Sequence, residues 1–122
     1  MAFWYLASPY SKYPLGITAA HFHVCQQAAL LIRSGVPVYS PIAHMHPIAQ
    51  FGDIDPFDHD IWLPVDRHMM DAAGGLIVLK MEGWSRSYGM AEEMKHFAAG
   101  GYKPIVFMDP GVVPDVLLRE GR

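Results

Sequence analysis

A chain of 122 residues, 52% apolar and 17% charged, has the material for one buried core and the wrong composition for a disordered segment. A net charge of -3, with lysines and arginines scattered along the chain, excludes the basic stripe that duplex nucleic acid requires and leaves a small molecule as the expected partner. The single cysteine, Cys25, leaves no internal disulfide, no apolar run reaches membrane length, and Met1 to Leu6 lacks the basic start of a signal peptide, so a cytoplasmic protein is expected.

Residues 1–122 read as a single domain with no repeat, low-complexity tract or linker. Phe3 to Ala7 is an apolar, aromatic run closed by Ser8-Pro9, which predicts a buried strand. Ala20, Val24, Ala28 and Leu31 recur at helical spacing between Ile17 and Ser34, and Gly35 is a natural stop. Val36 to Tyr39 predicts a second strand ended by Ser40-Pro41. The strand–helix–strand order of these elements favours parallel pairing.

Pro41 to His59 contains Pro47, Gly52, Pro56 and three histidines, and reads as a long irregular binding loop or lid. Helical periodicity returns from Asp60 to Ala73, Leu76 to Leu79 is a continuous apolar strand, and a helix is expected from about Ser87 to Ala99. Pro104 to Met108 supplies a last strand and Val112 to Arg119 a short helix. Alternating strands and helices predict a doubly wound parallel sheet in an α/β/α three-layer fold. Ligands of such sheets bind beyond the carboxyl ends of the strands, here the loops after Ala7, Tyr39 and Leu79. The apolar share, slightly above the usual range, points to a homo-oligomer, a dimer or a tetramer.

Two carboxylates stand among apolar neighbours. In the helix from Asp60, the stripe through Trp62, Val65, Met69 and Ala73 also contains Asp66, whereas Asp60, Arg67 and Asp71 fall on the opposite face. In the helix after Ser87, Met90, Met94 and Phe97 define the apolar face with Glu93 at its edge, while Glu92 points away toward Lys95 or His96. A carboxyl against apolar walls becomes a proton donor, and one held ionised near a sugar carbon becomes a nucleophile. Two in one pocket can divide those roles, as they do in glycosyl transfer. Capping or pairing with buried partners is the plainer reading of both. Ser87 can cap the helix, Gly89 lets a ligand approach the first-turn amides, and Trp84 and Tyr88 flank this loop, where they could stack on a base.

These residues resemble the nucleoside 2-deoxyribosyltransferase-like superfamily and, more closely, a small bacterial family of unknown function assigned to it. The resemblance starts at Tyr5-Leu6-Ala7-Ser8-Pro9-Tyr10, similar to the family's first strand and substrate loop, and continues at Asp66. It is most specific from Gly83 to Glu93, similar to a Ser-x-Gly-x-x-x-Glu run whose glutamate is the nucleophile. It implies a flavodoxin-like or Rossmann-like fold and oligomeric assembly. It also implies N-glycosidic bond chemistry on a nucleoside or nucleotide, with Glu93 attacking the anomeric carbon and Asp66 orienting substrate or assisting proton transfer. Tyr5, Ser8, Pro9, Tyr10, Gly83, Trp84, Ser87 and Gly89 would bind substrate; no cofactor is implied. The Pro41 to His59 loop has no counterpart in the better-known transferases, and His44 is read from the loop itself as a substrate-facing residue. Gly74-Gly75, where many relatives carry an aspartate, and Lys95, where a glycine is usual, depart from that pattern.

Two readings compete. A nucleotide-binding sensor that kept the pocket and lost the chemistry is motivated by those departures. A metal-dependent hydrolase would use His44, His46 and His59 of the loop, but His-x-His alone is a weak metal signature and no bound metal is expected. His21 and His23 read as structural, and Cys25 as a core residue.

Overall fold

The computed structural model describes residues 2–119. Four strands, β1 (Trp4–Ala7), β2 (Val38–Tyr39), β3 (Gly75–Leu79) and β4 (Ile105–Met108), form one sheet in the order β2-β1-β3-β4, parallel at every pairing. Ala7 pairs with Val78 and Leu79 with Met108, so the carboxyl ends of the three longer strands finish together at one edge of the sheet. The chain leaves β1 for β2 on one side and reaches β3 on the other, which puts the switch in strand order, and the crevice that comes with it, between β1 and β3.

Alternation along the strands builds two apolar layers. Trp4 and Leu6 of β1 join Ile77 and Leu79 of β3 against Val24 and Leu31 of α1 (Ile17–Arg33) and Leu117 of α5 (Asp115–Arg119). Tyr5, Ala7, Leu76 and Val78 face the other way, onto Met70 of α3 (His59–Ala72) and Met90 and Phe97 of α4 (Tyr88–Gly100). The single-domain, three-layer α/β fold expected from the pattern is the fold observed. Gly75 opens β3 because the Trp4 ring occupies the space above it: a Cβ there would sit 2.5 Å from Trp4 Cζ3.

The segment from Pro41 is where the expectation of an irregular loop fails. Pro41–Gly52 is a helix, α2, followed by a short connection into α3. Ser40-Pro41 ends β2 and also starts the helix: Ser40 Oγ accepts from Ala43 N at 3.0 Å, and Pro41 occupies the first turn, where no N–H is needed. Pro47 is tolerated inside α2, and Asp53 closes it in the left-handed region at φ 55°. Met45 and Ala49 of α2 pack with Tyr10, Ala20 and Trp62 in a third cluster that stands beyond the sheet's carboxyl edge. What reads as a lid is a fixed wall.

Candidate active site

The wall, the β1 loop and the first turns of α3 and α4 enclose a cleft of about 130 Å³. Its lining includes the polar Ser8, Asp66, Ser87 and Glu93, with Gly89, and the apolar or aromatic Tyr10, Met45, Phe57 and Trp62, of which Tyr10, Met45 and Trp62 belong to one packed cluster; His59 and Tyr88 are also on the lining.

Glu93 lies on the buried stripe of α4 with Met90 and Phe97, deeper than the edge position expected for it, and is only 8% exposed. Tyr5, fully buried on β1, donates its hydroxyl to Glu93 Oε2 at 2.5 Å. Burial pushes Glu93 up to about 8; the Tyr5 hydrogen bond works against that rise and the Asp66 charge adds to it. Asp66 lies on the buried side of α3 with Trp62 and Met70, while Val65, expected in the same stripe, is 39% exposed. Burial raises Asp66 to about 6. Burial, and then the same two carboxylates, lift the phenols of Tyr5 and Tyr39, whose rings stand 5.8 Å apart, so neither ionises in the physiological range. Both carboxyls are thus held above the usual carboxylate range, Glu93 further than Asp66.

The cap of α4 is Ser87: its Oγ accepts from Met90 N at 3.2 Å, leaving the amides of Tyr88 and Gly89 at the open end of the helix. Ser8, on the loop after β1, is buried with its Oγ unpaired, the one such side-chain atom among the described residues. A buried hydroxyl on a cleft wall costs stability until a ligand or water satisfies it. These groups offer partners for hydroxyl or phosphate oxygens, and the rings on the lining offer contact to a planar group.

Several residues named from the sequence stand elsewhere. Tyr5 acts from beneath, through Glu93, and Pro9 is buried without lining the cleft. Gly83, at φ 92°, fixes a turn against the Lys12 carbonyl, where a Cβ would come within 2.3 Å. Trp84 opens a 3-10 turn and packs edge-on against Phe107 at 6.0 Å, away from the cleft, so stacking on a base is left to other rings. His44 is exposed on α2 beside the Tyr39 hydroxyl at 3.2 Å and does not reach the cavity. The three histidines of the supposed loop each meet a different tyrosine, His46 with Tyr10 and His59 with Tyr88, and among the described residues no three His, Cys, Asp or Glu gather to hold a metal. Glu92 pairs with Lys95 at 3.9 Å, and His96 turns instead to Asp71 at 2.7 Å. Sequence reasoning did not find Met45, Phe57 and Trp62 as cleft residues, because their place depends on α2 being a helix.

Fold and cleft together define a small α/β domain with a paired-carboxylate site at the strand-order switch of a parallel sheet. The chain belongs to the family described as a domain of unknown function (DUF1937), whose model matches residues 3–109. No curated protein gives a significant match. Among the described residues, no helix is long and apolar enough to cross a membrane.

Proposed function

We propose that this domain breaks the N-glycosidic bond of a nucleoside or nucleotide, passing the sugar to water or to another base, with Glu93 as nucleophile. The observation that carries this reading is the buried Glu93, which accepts the Tyr5 hydroxyl and shares with Asp66 the lining of a cleft that also carries serine hydroxyls and aromatic rings. Glu93 attacks as the carboxylate. Its oxygen bonds to the anomeric carbon while the bond to the base nitrogen breaks with its electron pair; water or an acceptor base then displaces Glu93. Asp66, mainly ionised above about pH 6, orients the sugar and steadies positive charge developing on it. Ser8 Oγ and the first-turn amides of α4 receive sugar or 5′-phosphate oxygens.

Self-association as a dimer or tetramer is part of this reading, supported by the exposed Phe51, Ile61 and Val65, and so is the cytoplasmic location. A nucleotide sensor without turnover is the second reading. It is favoured by the burial of Glu93, which raises its carboxyl toward the neutral form that is no nucleophile.

The test is base release from a panel of nucleosides and 5′-nucleotides, with and without an acceptor base, for the wild type and Glu93→Gln. Release that falls at least about a thousandfold in the variant supports glycosyl chemistry. Equal turnover by the variant removes Glu93 from the role. Binding without release by the wild type moves the assignment to the sensor.

A further inference from the structure

Resting on that reading, we infer that the departing base is a cation, a flat pyridinium-type heterocycle joined to the sugar through a positively charged ring nitrogen. The cleft lining is rich in acid and poor in base. Asp66 and Glu93 both line it, and among the described residues no lysine or arginine does. Arg67, next to Asp66 in sequence, lines a separate pocket between α3 and α4 with Glu92 and Lys95. His59, which is exposed, is the one basic side chain on the lining.

The rest of the lining suits a delocalised organic cation better than a metal ion. Tyr10, Phe57, Trp62 and Tyr88 all bring aromatic rings to it, and those of Tyr10 and Phe57 stand 5.9 Å apart. Ring faces attract cations through their negative quadrupole, and quaternary nitrogens are bound this way in aromatic cages. The polar atoms of two of these rings are already engaged. Trp62 Nε1 donates to the Asp55 carbonyl at 2.9 Å, and the Tyr10 hydroxyl is bonded to His46 Nδ1 at 2.6 Å. What these two side chains add to the cleft is ring surface. The Ser8 hydroxyl, 4% exposed and unpaired on the same lining, independently marks the cleft as the place of a polar ligand.

A cationic base also acts on the nucleophile. Burial favours the neutral form of Glu93, and the Asp66 charge adds to that effect. A positive ring nitrogen in the cleft works in the opposite sense on both carboxyls, so binding the substrate favours the ionised Glu93 that attacks. The step then balances without a proton donor. As the Glu93 oxygen bonds to the anomeric carbon, the electron pair of the breaking bond passes to the ring nitrogen and cancels its charge, and a neutral heterocycle departs. Water next bonds to the same carbon, its proton passes to the Asp66 carboxylate and on to solvent, and Glu93 leaves as the carboxylate.

Two probes of one shape isolate the charge: 1-methylnicotinamide, a permanent cation, and 3-methylbenzamide, its neutral isostere. Calorimetry at neutral pH should show the wild type binding the cation at least about tenfold more tightly. Asp66→Asn and Glu93→Gln, each with one carboxyl fewer, should narrow that ratio several-fold while keeping the affinity for 3-methylbenzamide, which reports an intact cleft. Turnover is followed with nicotinamide riboside and inosine, and with the corresponding 2′-deoxyribosides. The wild type is expected to favour the nicotinamide substrates by about a hundredfold or more in kcat/KM. Equal affinity for the two probes would overturn the inference, as would a ratio that neither variant changes, or a kcat/KM for the inosine series that equals or exceeds that for the nicotinamide series. Failure of the parent reading shows separately, as a wild type that distinguishes the probes but cleaves no nucleoside of either charge.

Discussion

The two faces of the sheet are made by the same strands and do different work. On the α1 and α5 side, Trp4, Leu6, Ile77 and Leu79 meet Val24, Leu31 and Leu117 in a cluster whose buried residues are all apolar. On the α3 and α4 side, one residue along β1, Tyr5 reaches through Met90 and Phe97 to a buried carboxylate. Burying Glu93 costs free energy that an apolar side chain there would not, because its charged form is desolvated. One face is optimised for cohesion, and the other gives up part of that cohesion to hold a reactive group.

Substitutions on the two faces should therefore differ in sign as well as size. Leu6→Ala, in the apolar layer, is expected to destabilise by about 4 kcal/mol, equally at pH 5 and pH 8, because it opens a cavity and changes no titrating group. Urea melts at the two pH values check this, and a pH-dependent loss would show the faces to be coupled. Glu93→Gln should do the opposite. The native state holds Glu93 protonated up to about pH 8, whereas the unfolded chain ionises near 4.5. Stability is thus fully present below about 4.5 and drains away as pH rises to about 8. Glutamine removes that loss, so the variant should be more stable than wild type by roughly 4 kcal/mol at pH 8, about 15 °C in Tm, and indistinguishable near pH 4.5. A destabilised variant at pH 8 would mean that the carboxylate is solvated after all.

The site's internal balance gives a finer test. Base release should rise with pH as Glu93 ionises, with a limb near pH 8. Tyr5→Phe removes the hydrogen bond that lowers Glu93, so the limb should move up. Asp66→Asn removes the charge that raises it, so the limb should move down; shifts of about one pH unit are expected in the rate profile of each variant. Two shifts in the same direction would contradict the arrangement of Tyr5, Asp66 and Glu93 in the cleft.

The sheet, its parallel order and both carboxylates were legible because each rests on a local period: apolar runs bounded by Ser-Pro or glycine for the strands, helical spacing for Asp66 and Glu93. The apolar and aromatic lining of the cleft was not. Ser40-Pro41 is equally good as the end of a strand and as the cap and first residue of a helix, and two further prolines in the segment argued for a loop. With α2 hidden, the wall that presents Met45 and backs Tyr10 with His46 had no place to be seen. Val65 and Trp84 misled for a related reason. Periodicity assigns a face, but which helix covers that face is settled by packing: α3 leaves Val65 at its rim, and Phe107 of the edge strand captures Trp84.

The smallest expected effect separates capping from catalysis. Ser40 and Ser87 do the same mechanical work, each accepting one backbone amide at the start of a helix, at 3.0 and 3.2 Å. Each serine-to-alanine substitution should cost about 1 kcal/mol, read from a denaturant midpoint at unchanged slope. Only Ser87 also lines the cleft. Ser87→Ala should therefore raise KM for a nucleotide several-fold, while Ser40→Ala, equally destabilised, leaves KM where it was. If both variants changed KM alike, the effect would belong to looser helices. If neither did, binding of substrate oxygens would rest on Ser8 and the amides of Tyr88 and Gly89, which Ser87→Ala does not remove.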